Sequence, residues 1–442
     1  MRGIGREKSR ASGYLYRLER SVVHRPDLET AAPDLIRTRQ LARLNELAAA
    51  VLPQNAFYAG KFGAVTLPIS WEAFGRLPFT TKAELVADQA SAPPLGTIAT
   101  YPPERYSTYH QTSGTTGRPL AVVDTPESWA WWAECWQYVY AAAGVTARDR
   151  IFFAFSFGPF IGFWSAHEAA RRLGAWTIPG GGLDSRARLR LLLDTGATVA
   201  LCTPTYALRL AEVAREHGIP LRDSAVRVTI HAGEPGASIP PVRARIEEAW
   251  GARAFDHAGG TEIGAYGFAC ERRDGLHVNE AEFIAEVLDP ETGGPCAEGE
   301  RGELVITNLG RAGWPVIRYR TGDIVVAGTR RCGCGRTFLT LPGGIVGRTD
   351  DLIILRGVNV YPSAVEAIVR TFEVGEFRLV RTRHGALEEL TVEVEASETI
   401  AGYLARALRE RLAVRIPTRA VPAGSLPRWE LKARRLVDAR VP

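Results

Sequence analysis

The run Gln111-Thr112-Ser113-Gly114-Thr115-Thr116-Gly117-Arg118-Pro119-Leu120 is built for chemistry and cannot fill a core. Its glycines permit positive-φ turns in which successive N–H groups converge on an anion. The Ser and Thr hydroxyls add rotatable donors, and Arg118 adds fixed positive charge. An oxygen-rich polyanion such as a nucleotide triphosphate suits such a loop; an ordinary surface turn is the bland alternative. The spacing is not that of a Walker A loop.

Lysine is scarce: Lys8, Lys61, Lys82 and Lys432 are the only four, so 50 of the 54 basic residues are arginine. Lys432 stands alone among the last 360 residues, in Leu426-Pro427-Arg428-Trp429-Glu430-Leu431-Lys432. A compact ammonium on a flexible stem can aim one charge at a developing oxyanion, as a planar guanidinium cannot. A chance lysine on a basic tail is the competing reading.

Six cysteines in 442 residues do not form a disulfide framework. Cys135 and Cys202 sit in apolar stretches as buried thiols. Cys332-Gly333-Cys334-Gly335 reads as a metal knuckle or a free dithiol, and Cys270 and His277 could complete a Cys₃His zinc site.

These residues need elements to hold them. The length implies two or more domains, and 46% hydrophobic with 23% charged residues is ordinary for a globular enzyme. No apolar run reaches the roughly 18 residues of a membrane helix, and no secretory signal follows the basic start. With a net charge of +5 and acids interspersed throughout, no basic stripe suggests nucleic acid. A cytoplasmic location is expected.

Apolar spacing predicts an amphipathic helix over 33–51, and Thr80 or Thr81 caps the next short helix. Strands are expected over 150–156, 197–202 and 225–231, alternating with helices over 185–193 and 206–216. That order argues an α/β domain with a largely parallel sheet. Paired strands follow over 283–288 and 303–307. Trp129, Trp131, Trp132 and Trp136 share one helix whose crowded faces point to core packing. Beyond Gly347-Arg348-Thr349-Asp350-Asp351 a small α+β unit begins, with strands over 352–355, 377–383 and 390–395 and helices over 362–372 and 401–412.

Taken in order, these motifs resemble an adenylate-forming enzyme of the phenylacetate–CoA ligase group, and the resemblance runs from about residue 35 to the C-terminus. His110–Pro119 is similar to that family's His-x-Ser-Ser-Gly-Thr-Thr-Gly-Lys-Pro loop, with Arg118 for the lysine. The resemblance implies that Thr112, Ser113, Gly114, Thr115, Thr116 and Gly117 grip the β- and γ-phosphates of ATP. Ala232-Gly233-Glu234-Pro235 resembles the segment lining the adenine. Tyr319-Arg320-Thr321-Gly322-Asp323 resembles the motif whose aspartate holds the ribose, Arg348 stands beside the nucleotide, and Asp350 is the hinge. Lys432 becomes the adenylation lysine. The family pattern Asp-x-Tyr-Gly-x-Thr-Glu occurs as Asp256-His257-Ala258-Gly259-Gly260-Thr261-Glu262, with Glu262 helping to hold Mg²⁺ and Ala258 replacing the tyrosine that packs on adenine. Cys270, His277, Cys332 and Cys334 fall where some members carry structural zinc.

The implied architecture is α/β: a large N-terminal domain (1–349, with an extension over 1–32) of mixed and parallel sheets flanked by helices, and a small mobile C-terminal α+β domain (350–442). The implied reaction is ATP-dependent activation of an aromatic carboxylic acid to an acyl-adenylate, then transfer to the thiol of coenzyme A. A carrier-protein phosphopantetheine is the alternative acceptor, and a homodimer is the implied state. A nucleotide-binding regulator without turnover is the rival class; the presence of Lys432, Glu262, Asp323 and Arg348 together argues against it. Phe157, Phe160, Ala258 and Gly259 are candidates for the acid pocket. His231 and His257 could each supply a polar contact there or be histidines satisfied within the core.

Overall fold

The computed structural model describes residues 23–112, 119–356, 358–384, 387–429 and 433–440. The protein is an α/β molecule organised around an eight-stranded sheet. Five of its strands run parallel, in the order Arg253–Gly260, Val228–His231, Val199–Cys202, Arg150–Phe153 and Trp176–Pro179. Val199–Cys202 and Val228–His231 are wholly buried and Ile151–Phe153 likewise, while the edge strand Trp176–Pro179 leaves Trp176 66% exposed. At Arg253–Gly260 the pairing changes: Gly264–Phe268, Gly275–Val278 and Thr340–Pro342 continue the sheet antiparallel. One strand thus belongs to both halves, and it carries Asp256 to Gly259.

A second sheet is wholly antiparallel, ordered Phe283–Leu288, Arg301–Asn308, Tyr319–Val326 and Ile345–Arg348. Its last pair sets Asp323 directly opposite Arg348. From Ile353 onward a separate hydrophobic cluster begins, built from Leu355, Val365, Leu379, Val392, Leu404 and others. It packs a four-stranded sheet, with a central antiparallel pair Phe377–His384 and Leu387–Glu395, against the helices Pro362–Val369 and Glu398–Leu412. Among the described residues no helix is long and apolar enough to cross a membrane.

Local chemistry accounts for several boundaries. Thr81 caps the helix Lys82–Ser91 in a capping box with Glu84. The helix Pro33–Val51 buries Ile36, Leu44, Leu47 and Ala48 but leaves Leu35 59% exposed, off its buried face. The strand beginning at Arg150 ends at Phe153, short of the expected Ser156. Beyond it the chain turns into an aromatic cluster in which the rings of Phe155 and Phe157 lie 4.0 Å apart, and Phe157 takes a positive φ of 54°. Trp131, Trp132 and Trp136 are core residues of the helix Pro126–Ala142, while Trp129 stacks on His110.

Candidate active site

The segments around Gly233, Asp256, Asp323 and Arg348 meet at one cleft of about 1040 Å³, at the C-terminal ends of the parallel strands and against the small C-terminal unit. This is where ligands bind in open α/β sheets. Gly233, Glu234, Pro235, Asp256, Ala258, Gly259, Glu262, Asp323, Arg348 and Asp350 all line it.

Asp323 and Arg348 form an ion pair across adjacent strands, Oδ1 to Nη1 2.8 Å. The Tyr266 hydroxyl donates to the other carboxylate oxygen at 3.2 Å. Arg348 Nε reaches Asp350 at 2.9 Å, so the proposed ribose contact and the proposed hinge are coupled through one guanidinium. The flanking carboxylates Asp323 and Asp350 offset its burial and hold Arg348 firmly protonated.

Asp256 is buried, and burial pushes its pKa up to about 6. Its carboxylate accepts the backbone N–H of Ser238 at 3.1 Å and that of His257 at 3.2 Å. Asp256 therefore fixes the cleft wall. Thr261 and Glu262 are held from behind: Arg311 Nη1 donates to both their carbonyls, at 2.9 and 3.0 Å. Arg311 is itself clamped by a bidentate pair with Asp124 at 2.7 Å, and both side chains are buried. The Glu262 carboxylate accepts from Lys82 Nζ at 3.0 Å. Sequence reasoning includes neither this lysine nor the Asp124–Arg311 pair in the site. The scarcity of lysine is the available signal for Lys82; the arginine pair spans 187 positions and leaves none.

Thr112 closes the base of the glycine-rich loop, its Oγ1 accepting the N–H of Leu120 at 3.0 Å. The hairpin Thr108–Gln111 and Ala121–Asp124 presents that loop. Ser113, Gly114, Thr115, Thr116 and Gly117 lie outside the described residues, as does Lys432. The neighbour of that lysine is placed: the Ala433 N–H donates to Glu234 at 2.9 Å, and Glu234 also accepts the N–H of Thr205 at 2.8 Å. Burial raises the pKa of Glu234.

Ala258 and Gly259 form part of the cleft wall, whereas Phe157 and Phe160 do not line it. Phe157 packs edge-on against Trp164 at 4.8 Å, and Phe160 is 44% exposed on the loop beside Gln111.

The two histidines differ. His231 has both ring nitrogens engaged, Nδ1 with the Cys202 carbonyl at 3.1 Å and Nε2 with Thr229 Oγ1 at 2.8 Å, so it serves the core. His257 lines the cleft, and among the described residues its ring bonds through Nδ1 alone, to the Gly267 carbonyl at 2.7 Å.

Cys270, His277, Cys332 and Cys334 gather with their ligand atoms all within 4.8 Å of one another. Cys270 and Cys332 sulfurs are 3.8 Å apart, and Cys334 Sγ is 3.5 Å from His277 Nε2. Zn–S bonds of about 2.3 Å in a tetrahedron put sulfurs about 3.8 Å apart, so the residues fit zinc. His277 Nδ1 faces the Phe338 carbonyl at 3.4 Å, which leaves Nε2 free to ligate.

A family model for the AMP-binding enzyme matches residues 67–311, and one for the AMP-binding enzyme C-terminal domain matches 357–440. The phenylacetate-coenzyme A ligase of Thermus thermophilus is 33% identical, covering 95% of this chain and 100% of its own. That of Escherichia coli is also 33% identical, over 93% and 97%. Among solved structures, a 2-hydroxyisobutyryl-CoA ligase in the postadenylation state with 2-HIB-AMP superposes with a TM-score of 0.89 at 31% identity, covering 94% of this chain and 92% of that one. The same ligase in its thioesterification state, at the same coverage, gives 0.72. Since coverage matches in the two comparisons, the arrangement seen here is more similar to that of the first of these structures than to that of the second.

Proposed function

The chain belongs to the AMP-binding enzyme family, and from that premise we propose that it activates an aromatic carboxylic acid with ATP and passes the acyl group to coenzyme A. The observation that carries this reading is the Ala433–Glu234 contact, which brings the segment bearing Lys432 to the cleft where Asp323 and Arg348 meet.

A carboxylate is a poor acyl donor because oxide would have to leave. In the first step a carboxylate oxygen attacks the α-phosphorus of ATP and the bond to pyrophosphate breaks. Lys432 bridges the attacking oxygen and the α-phosphate, the loop 112–117 holds the outer phosphates, and Asp323 with Arg348 orients the ribose. Glu262, buried at the cleft, would help hold Mg²⁺, which would supply charge neutralisation. In the second step the thiol loses its proton, its sulfur attacks the acyl carbon, and AMP leaves. For that step the unit over 350–442 rotates about Asp350 and withdraws Lys432. Free coenzyme A is favoured over a carrier protein because relatives matching over 93–95% of the chain are named coenzyme A ligases. Cys270, His277, Cys332 and Cys334 would hold a structural zinc.

Lys432→Ala is the test. It should lower acid-dependent ATP–pyrophosphate exchange by about 100-fold or more while nucleotide binding persists. Undiminished exchange would remove Lys432 from the mechanism.

A further inference from the structure

Hydrogen bonding fixes the tautomer of His257. The Gly267 carbonyl can only accept, so Nδ1 carries the proton and Nε2 is a bare acceptor. No described residue donates to Nε2. The adjoining Gly259 keeps the space beside it clear, since a Cβ there would come within 3.2 Å of Nε2 and 2.9 Å of the Gly264 carbonyl. The ring is held on its other side by Trp136, at 4.2 Å between centroids. The result is a fixed acceptor on the wall of the cleft with no donor among the described residues.

Resting on the acid-activation reading above, we propose that His257 is a specificity-determining residue whose Nε2 accepts a hydrogen bond from a hydroxyl or amino group on the acid. The preferred substrate is therefore a carboxylic acid carrying a hydrogen-bond donor, not the plain aryl acid. Burial lowers the His257 pKa to about 4, which keeps the imidazole neutral and able to accept at physiological pH. An acid without a donor leaves this nitrogen desolvated and unpaired, and that penalty discriminates more strongly than a missing methylene in an apolar pocket.

The test is acid-dependent ATP–pyrophosphate exchange by the full-length protein on matched acids. One set holds phenylacetate with its ring-hydroxyl, ring-amino, methoxy and fluoro derivatives; another holds 2-hydroxy acids with their O-methyl ethers. In the wild type, one donor-bearing acid should exceed its ether and its unsubstituted parent by about 10- to 100-fold in kcat/KM. His257→Phe should shrink that ratio to about two- or threefold. Whether the donor is a ring substituent or an α-hydroxyl is read from which set responds. Equal kcat/KM across every matched set overturns the proposal with no variant needed, which decides the matter even if His257→Phe does not fold. So does an undiminished ratio in a folded His257→Phe. Failure of the acid-activation reading looks different: no acid supports exchange although ATP binds by calorimetry, and both proposals then fall.

Discussion

Lys82 and Glu262 illustrate what single residues contribute. Glu262 is buried while the lysine is 47% exposed, so the pair joins a solvated cation to a largely desolvated carboxylate. Lys82→Met leaves that carboxylate without its partner, and pyrophosphate exchange should fall by about tenfold with the fold intact by circular dichroism. A second consequence concerns acid. His110, His231 and His257 are held near pKa 4 by burial, below their usual 6.5. Between those values the unfolded chain binds protons that the native state refuses, so stability drains away as pH falls from about 6.5 towards 4. Each imidazole contributes about 1.4 kcal/mol per pH unit in that window. Asp256, raised from 3.8 to about 6, acts with the opposite sign between those values. Glu234, also raised by burial, acts in the same sense as Asp256, and three imidazoles outweigh these two carboxyls. Urea melts at pH 7 and pH 5 should show lower stability at pH 5.

At the scale of elements, the legible parts are those written in contiguous residues. The Asp323 and Arg348 motifs and the Cys-x-Cys knuckle each announce a turn or ligand set within a few positions. The cysteine knuckle can be paired with Cys270 and His277 by ligand type, but only the antiparallel register of Thr340 with His277 brings the halves together. The switch of Arg253–Gly260 from parallel to antiparallel partners is not legible, because pairing depends on strands distant in the chain. Nor is Asp124–Arg311, which braces the backbone at Thr261 and Glu262. Arg311→Met strands Asp124 in a dry interior and should cost about 3–5 kcal/mol in a denaturant titration. For the cysteine cluster, elemental analysis should find about one zinc per chain, absent in Cys334→Ser, whose melting temperature should also drop.

For the molecule as a whole, the arrangement matters as much as the fold. Arg435 sits where the two hydrophobic bodies meet. Its guanidinium reaches Glu376 at 2.8 Å and Glu366 at 3.2 Å within the C-terminal unit, and Thr205 Oγ1 at 3.3 Å on the N-terminal side. Arg435→Ala should loosen this docked state. Pyrophosphate exchange should then decline by about tenfold, while a supplied acyl-adenylate is still converted by coenzyme A in single turnover. Equal losses in both half-reactions would point to general destabilisation.

Glu29 gives the start of the chain an unexpected weight. Residues up to 32 read as an appendage, yet Glu29 is fully buried against Arg336, two positions past Cys334, and its carbonyl accepts the N–H of Thr337 at 2.8 Å. A chain trimmed to begin at Pro33 would take this carboxylate away from the buried guanidinium of Arg336, close to the cysteine knuckle. Trimming this segment should therefore lower the zinc content found by elemental analysis, an effect arising at the opposite end of the sequence from Lys432.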